Sequence, residues 1–283
     1  MEHLCRKYRP RTLDDILGQP DVVRALKLFV AEPYPSAFLF HGESGVGKTA
    51  AALALAHDLG CDLDAVIPEL GGVFEIASGY QNGQSVKEAI AALRYRPLQG
   101  SGWRALIVNE CDRMTEQAET VWLDALEHIH AMSVVVFTTN RAERLSARFR
   151  SRCDCYAFTS STEELAPHIR AFAVRVWREA GLKGKPPGLE MIGMPTLEGE
   201  DSMHANFRLA LTQLGRIIAE ATIGKGQRLK EAVAQVAADG VIIASGQTEA
   251  RCEFCRKKFD VPAGARKARC PHCKKANELE WAA

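Results

Sequence analysis

The chain has 283 residues, of which 47% are hydrophobic and 25% carry a charge. This composition is typical of a globular protein with a sizeable core and more than one domain. The formal net charge at pH 7 is only +1, which excludes a uniformly basic surface, so any contact with nucleic acid must come from a local patch. The sequence shows neither a secretory signal nor an apolar run of roughly 18 residues, so we expect a cytoplasmic protein with no membrane partner.

Short strand-like runs alternate with helical stretches over the first 158 residues. The runs lie at 37–40, 73–77, 105–108, 133–138 and 153–158, and the helical stretches lie at 48–59, 84–95, 115–129 and 142–150. Alternation of this kind predicts an α/β fold in which helices cover both faces of a five-stranded parallel sheet.

The pattern changes after residue 158. Apolar residues recur at helical spacing in 161–182, 205–221 and 227–240. We therefore predict a small helical domain over 159–243, with 181–202 as a loop that contains Gly and Pro. A third, short domain would occupy 244–283.

A phosphate-binding motif directly follows the first strand-like run. The motif GESGVGKT comprises Gly42, Glu43, Ser44, Gly45, Val46, Gly47, Lys48 and Thr49. In this pattern the glycines let backbone N–H groups surround the β-phosphate, Lys48 reaches the β- and γ-phosphates, and the Thr49 hydroxyl is a Mg²⁺ ligand. The alternative is an ordinary Gly-rich turn, but a chance match is on the order of one per cent in a chain of this length. ATP and Mg²⁺ are the expected cofactors.

The run 105–108 ends in polar residues that fit the second element of a nucleotide-hydrolysing site. An apolar strand ending in acidic side chains faces the Mg²⁺ and the attacking water in such sites. Glu110 is the candidate base that activates the water. Asn109 stands where an aspartate is usual, and it would hold the hydration shell of the metal with a neutral oxygen. The alternative is that Asn109 to Asp112 form only a polar strand end.

Six segments carry a resemblance to a known family. They are KYRPRTLDDILGQPDVV at 7–23, GESGVGKT at 42–49, NECDRMT at 109–115, TTN at 138–140, SRC at 151–153 and ANFRLAL at 205–211. In this order they resemble the clamp-loader branch of the AAA+ ATPases, as in replication factor C small subunits and the bacterial gamma/tau subunit. The resemblance implies a AAA+ nucleotide-binding domain at 1–158 and a helical lid at 159–243.

The resemblance also assigns roles to residues of the N-terminal segment. Tyr8, Arg9, Pro10, Gly18 and Gln19 match the part of the family that closes over adenine and ribose.

Three further roles follow from the same resemblance. Asn140 matches sensor 1, which orients the water beside Glu110. Arg208 matches sensor 2, the lid arginine that touches the γ-phosphate, although Ala205 and Asn206 replace the Gly-Asp of the family's G-D-x-R-x-A-L motif. Arg152 matches the arginine finger, which completes the ATP site of a neighbouring subunit, so an oligomer of AAA+ subunits is expected. The alternative for Arg152 is a solvated basic helix end.

The nine cysteines fall into two groups. Cys252, Cys255, Cys270 and Cys273 form the pattern C-x₂-C-x₁₄-C-x₂-C, which is typical of a zinc ribbon with four thiolate ligands, and free thiols or a disulfide are the alternatives. The scattered cysteines are expected to be buried; they are Cys5, Cys61, Cys111, Cys153 and Cys155. We therefore assign 244–283 to a zinc ribbon.

The ribbon also contains the dense basic patch of the chain. Between 251 and 275 nine Lys and Arg residues face two acids, and Phe254 and Phe259 lie among them. Cations with interleaved aromatic rings favour phosphate contact and base stacking, and a protein-docking ribbon is the alternative.

Together these features predict an oligomeric, ATP-dependent and DNA-associated switch of the clamp-loader type, acting in DNA replication. Its partners would be other AAA+ subunits, DNA and a sliding clamp. The zinc ribbon stands where resembling clamp loaders carry a helical collar. Two alternatives therefore stay open: a non-hydrolysing ATP-binding scaffold that recruits a partner through its ribbon, and a AAA+ loader or remodeller for another DNA process.

Overall fold

A computed structural model of the chain describes residues 4–76, 81–192, 205–222, 241–243, 249–252, 254–261, 267–274 and 276–281. The chain divides into two compact units, Met1–Arg216 and Ile217–Ala283. The predicted helix at 227–240 and much of the predicted loop at 181–202 lie outside the described residues. The domain boundaries at 158 and 243 stay predictions.

A five-stranded parallel sheet forms the centre of the first unit. Its strands are β1 (Ser36–His41), β2 (Val73–Ile76), β3 (Arg104–Val108), β4 (Ser133–Thr139) and β5 (Asp154–Ala157). They lie in the order β2-β3-β4-β1-β5, and every neighbouring pair is parallel. The predicted sheet is therefore confirmed. Strands β3 and β4 are buried along their whole length, as their apolar sequences indicate.

Helices connect these strands. They are α1 (Leu4–Lys7), α2 (Pro20–Ala31), α3 (Lys48–Asp58), α4 (Gly83–Ala92), α5 (Glu116–Ala125), α6 (Ala147–Arg150), α7 (Thr162–Glu179) and α8 (residues 207–222). The helices predicted at 48–59, 84–95, 115–129, 161–182 and 205–221 are confirmed, with ends that differ by a few residues. Helix α2 was not predicted from the sequence.

One predicted helix is wrong. The stretch 142–150 is not continuous: Ala142–Arg144 form a 3-10 turn, Leu145 is extended, and α6 begins afresh after Ser146. The hydroxyl of Ser146 accepts a bond from the Phe149 N–H at 3.1 Å, and this capping bond competes with a helix that runs through the serine.

The core between the sheet and α5 and α6 fixes the strand ends that carry the polar motifs. The rings of Trp122 and Phe137 meet edge to face at 4.9 Å, and those of Phe137 and Phe149 do the same at 4.9 Å. All three side chains are fully buried. Because Phe137 lies on β4, this stack holds the end of β4 firmly in place.

The scattered cysteines are not uniformly buried. Cys61 and Cys111 are buried, Cys5 and Cys153 are half-buried, and Cys155 is exposed. The prediction of a buried thiol is wrong for Cys155 because β5 is an edge strand of the sheet and leaves that side chain uncovered.

The second unit is built from short strands. They are β6 (Val241–Ile243), β7 (Glu249–Arg251), β8 (Lys258–Asp260), β9 (Lys267–Arg269) and β10 (Ala276–Trp281). β7 pairs with β8 and β9 pairs with β10, both antiparallel, and β6 pairs with β10 in parallel. The buried cluster described here is small: Cys252, Phe259, Val261 and Cys270. A core of this size needs an additional staple.

Within the described part of the chain, the helices are too short or too polar to cross a membrane.

Candidate nucleotide site and metal centre

A cleft of about 940 Å³ opens at the carboxyl ends of the parallel strands. Its walls contain Cys5, Arg6, Tyr8, Arg9, Pro10, Asp14, Asp15, Ile16, Leu17, Ser44 to Ala50, Glu75, Asn109, Glu110, Thr138 to Asn140, Phe172, Arg175, Phe207, Arg208 and Leu211. Open α/β sheets bind ligands at this edge. The cleft therefore brings together residues from all parts of the first unit, including most of the site residues that the sequence predicts.

The phosphate-binding loop has the conformation that its glycines allow. Gly45 and Gly47 have φ of +82° and +108°, in the region that favours glycine, and α3 begins directly after Gly47. The N-terminus of α3, which carries a partial positive charge, thus opens toward the cleft beside Lys48 and Thr49. Unpaired N–H groups at a helix start are suited to bind phosphate.

Lys48 is held by the loop and by β4. Its ammonium donates to the carbonyl oxygens of Gly42 (2.8 Å) and Glu43 (2.7 Å) and to Oδ1 of Asn140 (2.7 Å). Burial, the largest influence, lowers the pKa of Lys48 to about 8, with Arg208 adding to the effect and Glu43 opposing it. The lysine and the sensor-like asparagine are therefore direct neighbours.

Asn109 lies against the candidate magnesium ligand. Its Oδ1 accepts from the Thr49 hydroxyl at 2.9 Å and from the Thr138 hydroxyl at 3.2 Å. Carboxylate and amide oxygens are ligands that suit Mg²⁺, directly or through water. Thr49 and Asn109 therefore fit a magnesium ion, and both line the cleft.

Glu110 turns into the cleft on a strained backbone. Its φ is +51°, in the left-handed region, and its carboxylate lies 3.3 Å from the guanidinium of Arg113. Nearby, the side-chain amide of the buried Gln81 donates to the backbone carbonyl of Asn109. Strain of this kind concentrates at functional sites. Sequence reasoning missed Gln81, which precedes Glu110 by almost 30 residues.

An aromatic wall closes one side of the cleft. The Tyr8 hydroxyl donates to Glu179 at 2.5 Å, the rings of Tyr8 and Phe172 meet edge to face at 5.4 Å, and Arg175 lies 4.8 Å from the Phe172 ring. Burial and the bond to Glu179 raise the pKa of Tyr8. The lid residues of this wall were not predicted, although 172, 175 and 179 share one face of a helix.

Gly18 and Gln19 are not part of the cleft lining. The side chain of Gln19 is buried and bonds twice to the backbone of Thr159, each time at 2.9 Å. A Cβ on Gly18 would lie 2.3 Å from Cδ2 of Leu165. In this structure both residues therefore attach the N-terminal segment to the start of α7, and they do not face the space left for a nucleotide.

Arg152 also lies outside the cleft of its own chain. Its guanidinium pairs with Glu127 and donates to the carbonyl of Arg148 at 3.1 Å. A residue that acts on the site of a neighbouring subunit does not need to reach its own site. Arg208, by contrast, lies in the lining, as the second residue of α8.

The four paired cysteines converge in the second unit. Their Sγ atoms all lie within 4.8 Å of one another, with 3.5 Å between Cys252 and Cys273 and 3.6 Å between Cys255 and Cys270. Four thiolates about 2.3 Å from one tetrahedral ion lie roughly 3.8 Å apart, whereas a disulfide needs about 2.05 Å. The arrangement therefore fits a single Zn²⁺, and the four cysteines form no disulfide in this structure.

Both cysteine pairs have the same backbone geometry. The N–H of Arg256 donates to the carbonyl of Cys252 at 2.8 Å, and that of Lys274 donates to Cys270 at 2.9 Å. Arg256 and Lys274 have φ of +61° and +64°. Each pair thus forms a tight turn between two strands and places an exposed cation next to its second cysteine.

The described surface of the ribbon is basic. Its exposed cations are Arg256, Lys257, Lys258, Lys267, Arg269 and Lys274, and the exposed acid among the described ribbon residues 252–274 is Asp260. Phe254 is 53% exposed, between the first two cysteines, whereas Phe259 is buried in the core. One exposed aromatic ring among cations fits base stacking, but Phe259 cannot serve this purpose.

The chain is similar in sequence to known DNA replication proteins. A family model described as the DNA polymerase III delta subunit matches residues 75–162. The replication factor C small subunit of Archaeoglobus fulgidus is 29% identical over 188 residues, which cover 66% of this chain and 56% of the relative. That of Methanothermobacter thermautotrophicus is 33% identical over 154 residues, which cover 54% and 46%.

The chain spans about half to two thirds of the length of these curated relatives. Among solved structures, a Thermotoga maritima RuvB variant superposes with a TM-score of 0.58 at 19% identity, covering 77% of this chain and 67% of that one. At this identity the likeness shows the fold alone. The structure thus has the AAA+ P-loop fold. The sequence relatives add that, within this fold, the chain resembles the clamp-loader branch, as its motifs predict.

Proposed function

We propose that this protein is an ATP-dependent switch of the clamp-loader type, which hydrolyses ATP slowly. One observation carries the proposal: a single cleft gathers the residues that bind and hydrolyse ATP in such proteins. They are Lys48, Thr49, Asn109, Glu110, Asn140 and Arg208. A site that had lost its function would be expected to have lost several of these residues.

The motif chemistry gives Lys48, Thr49, Asn109 and Glu110 their roles, and the resemblance gives those of Asn140 and Arg208. Lys48 and the start of α3 bind the β- and γ-phosphates, and Arg208 contacts the γ-phosphate from the lid. Thr49 and Asn109 would hold Mg²⁺, which neutralises phosphate charge. Glu110 accepts a proton from the attacking water, and Asn140 orients that water once ATP draws Lys48 away from its amide oxygen.

Asn109 sets the rate. It keeps the bonds to Thr49 and Thr138 that an aspartate would make, but it lacks the charge. Loss of an outer-shell partner of a metal typically costs about 10- to 100-fold in affinity or activity. This loss is small beside the 10⁶-fold or greater acceleration that enzymes achieve, so hydrolysis is expected to be slow but measurable.

The second unit supplies the contact with DNA. Its four cysteines bind one Zn²⁺, and its exposed cations and Phe254 bind phosphates and bases. Sister AAA+ subunits are the expected partners, since the candidate finger Arg152 has no role in its own cleft. We further propose that the protein contacts a sliding clamp and that it acts in the cytoplasm.

Comparison of three proteins tests the ATPase. Phosphate release is measured, with DNA and partner subunits present, for the wild type, Asn109→Asp and Glu110→Gln. We expect Asn109→Asp to raise turnover by about 10- to 100-fold and to lower the Mg²⁺ concentration for half-maximal rate. Glu110→Gln should bind ATP without hydrolysing it.

The same assay decides between the switch and its rival. The ion pair between Glu110 and Arg113 favours the rival, a scaffold that binds ATP without hydrolysis, because it engages the carboxylate that would accept the proton from water. Wild-type release no faster than that of Glu110→Gln, under all these conditions, would establish the scaffold.

A further inference from the structure

The outward face of the phosphate-binding loop is occupied by the lid. Because such a loop turns its N–H groups toward the phosphate, its carbonyl groups point away and need other donors. Lys48 donates to two of them, at Gly42 and Glu43. The next two are bound from α8: Asn206 Nδ2 donates to the Ser44 carbonyl at 3.0 Å, and the Phe207 N–H donates to the Gly45 carbonyl at 3.1 Å.

Both polar groups of the Asn206 side-chain amide form hydrogen bonds. Its Oδ1 accepts from the Leu209 N–H at 3.0 Å and so caps the start of α8, while its NH₂ group bonds to Ser44. The orientation of the amide is determined, because Leu209 can only donate and the Ser44 carbonyl can only accept. The fit is close: a Cβ on Gly45 would lie 2.0 Å from Oδ1 of Asn206.

A second hydrogen bond holds the start of α8 in place. The N–H of the fully buried Ala205 donates to the carbonyl of Ser160 at 3.1 Å. Arg208 follows two residues after Asn206 and lines the cleft. The position of Arg208 relative to the phosphates therefore depends on how residues 205–207 dock onto the loop.

We propose that Asn206 is a positioning residue, which couples the backbone of the phosphate-binding loop to the lid and thereby sets the reach of Arg208 to the γ-phosphate. The second half of this inference rests on the proposed ATP-binding function. An aspartate, the residue of the resembled motif, would cap α8 equally well but could not donate to Ser44. Its charge would instead face a carbonyl oxygen. The asparagine of this chain therefore creates a direct bond between loop and lid.

Hydrogen exchange on the nucleotide-free protein tests the coupling itself. Asn206→Asp keeps the cap and removes the donor, and Asn206→Ser is a neutral cap too short to reach Ser44. Both variants should increase exchange in residues 205–211 by about 3- to 10-fold, the size of one hydrogen bond. The matched control is Asn82→Asp, because Asn82 caps α4 through bonds to the N–H groups of Gln84 (3.0 Å) and Ser85 (2.9 Å). The control should leave exchange in 205–211 unchanged.

Nucleotide binding tests whether the coupling acts through Arg208. Asn206→Ser should lower the affinity for ATP by about 3- to 10-fold. ADP, which lacks the γ-phosphate, should bind with unchanged affinity. Combined with Arg208→Ala, the same substitution should have no further effect, because the residue through which it acts is gone.

Two results would overturn the proposal. Unchanged exchange in both Asn206 variants would mean that the bond to Ser44 does not couple loop and lid. If Asn206→Ser lowers ATP affinity equally in the wild-type and in the Arg208→Ala background, Asn206 does not act through the arginine. If the wild type binds no nucleotide at all, the proposed function fails, and the exchange comparison alone decides the coupling.

Discussion

At the scale of single residues, the fold acts most directly on the charge of Lys48. The residue is 8% exposed, and its ammonium group donates hydrogen bonds to three oxygen atoms. Burial lowers its pKa from 10.5 to about 8. Because the pKa is lower in the folded chain than in the unfolded chain, the protonated lysine costs stability below pH 8. That cost is relieved as the pH rises from 8 to 10.5.

This lowered pKa predicts how ATP affinity depends on pH. Bound phosphates favour the charged ammonium, so binding raises the pKa of Lys48 and requires uptake of a proton above pH 8. ATP affinity should therefore be constant from pH 7 to 8 and then fall by up to about tenfold per pH unit. Calorimetric titration between pH 7 and 9.5 measures this dependence.

The control for this prediction is Lys48→Arg. A guanidinium stays protonated over the whole range, so the affinity of this variant, although lower, should not change with pH. An identical pH dependence in the variant would assign the titration to a group other than Lys48.

At the scale of secondary-structure elements, the strands were predictable and the contacts between distant segments were not. Strands β1 and β4 are continuous apolar runs, and the P-loop between β1 and α3 follows a fixed motif. Local patterns of this kind depend on neighbouring residues only. The bond between Gln19 and Thr159, by contrast, joins residues 140 positions apart.

The same limit applies to the candidate site. Lys48, Thr49, Asn109 and Glu110 could be predicted because each lies at the end of a predictable strand or in the motif, and Asn140 could be predicted from the resemblance. Phe172 and Arg175 could not, because their approach to Tyr8 depends on how α7 packs against the N-terminal segment. Long-range packing is decided by the whole core and leaves no local pattern in the sequence.

The paired hairpins of the second unit predict one zinc ion per chain. Cys270→Ser removes one thiolate, and because a serine hydroxyl is a poor zinc ligand, the variant should lose its zinc. Inductively coupled plasma mass spectrometry of the purified full-length protein measures the zinc content. Cys155→Ser, which changes an exposed thiol outside the cluster, should keep it. Equal zinc in wild type and Cys270→Ser would refute the four-thiolate site.

The exposed face of these hairpins predicts DNA binding. Phe254→Ala should weaken binding of single-stranded DNA by about 5- to 150-fold, the effect of losing one stacked base. Arg256→Glu combined with Lys274→Glu should instead reduce the slope of log affinity against log salt, by about one for each lost phosphate contact. Fluorescence anisotropy at several salt concentrations distinguishes the two effects.

A matched control for the DNA prediction lies in the first unit. Arg24 is exposed and pairs with Asp21 three residues before it, so Arg24→Ala should change neither affinity nor slope. DNA binding that is unchanged in both ribbon variants would favour a protein partner for the ribbon.

At the scale of the whole molecule, the proposed role of Arg152 requires a second subunit. Its guanidinium is paired with Glu127, outside the cleft that contains Lys48, Glu110 and Arg208. An arginine supplied to the site of a neighbour stabilises charge on the transferred phosphoryl group, and it contributes about 10³- to 10⁵-fold in rate. The loss of Arg152 should therefore affect turnover in assemblies much more than nucleotide binding.

Complementation between variants tests this action across subunits. Arg152→Ala should bind ATP with nearly unchanged affinity and show strongly reduced turnover, whereas Arg148→Ala, one turn earlier in α6, should behave as wild type. Lys48→Ala should not bind ATP. A mixture of Arg152→Ala and Lys48→Ala should regain part of the activity, since the arginine of the second variant can serve the intact cleft of the first. A mixture no more active than its separate components would show that Arg152 does not act on a neighbouring subunit.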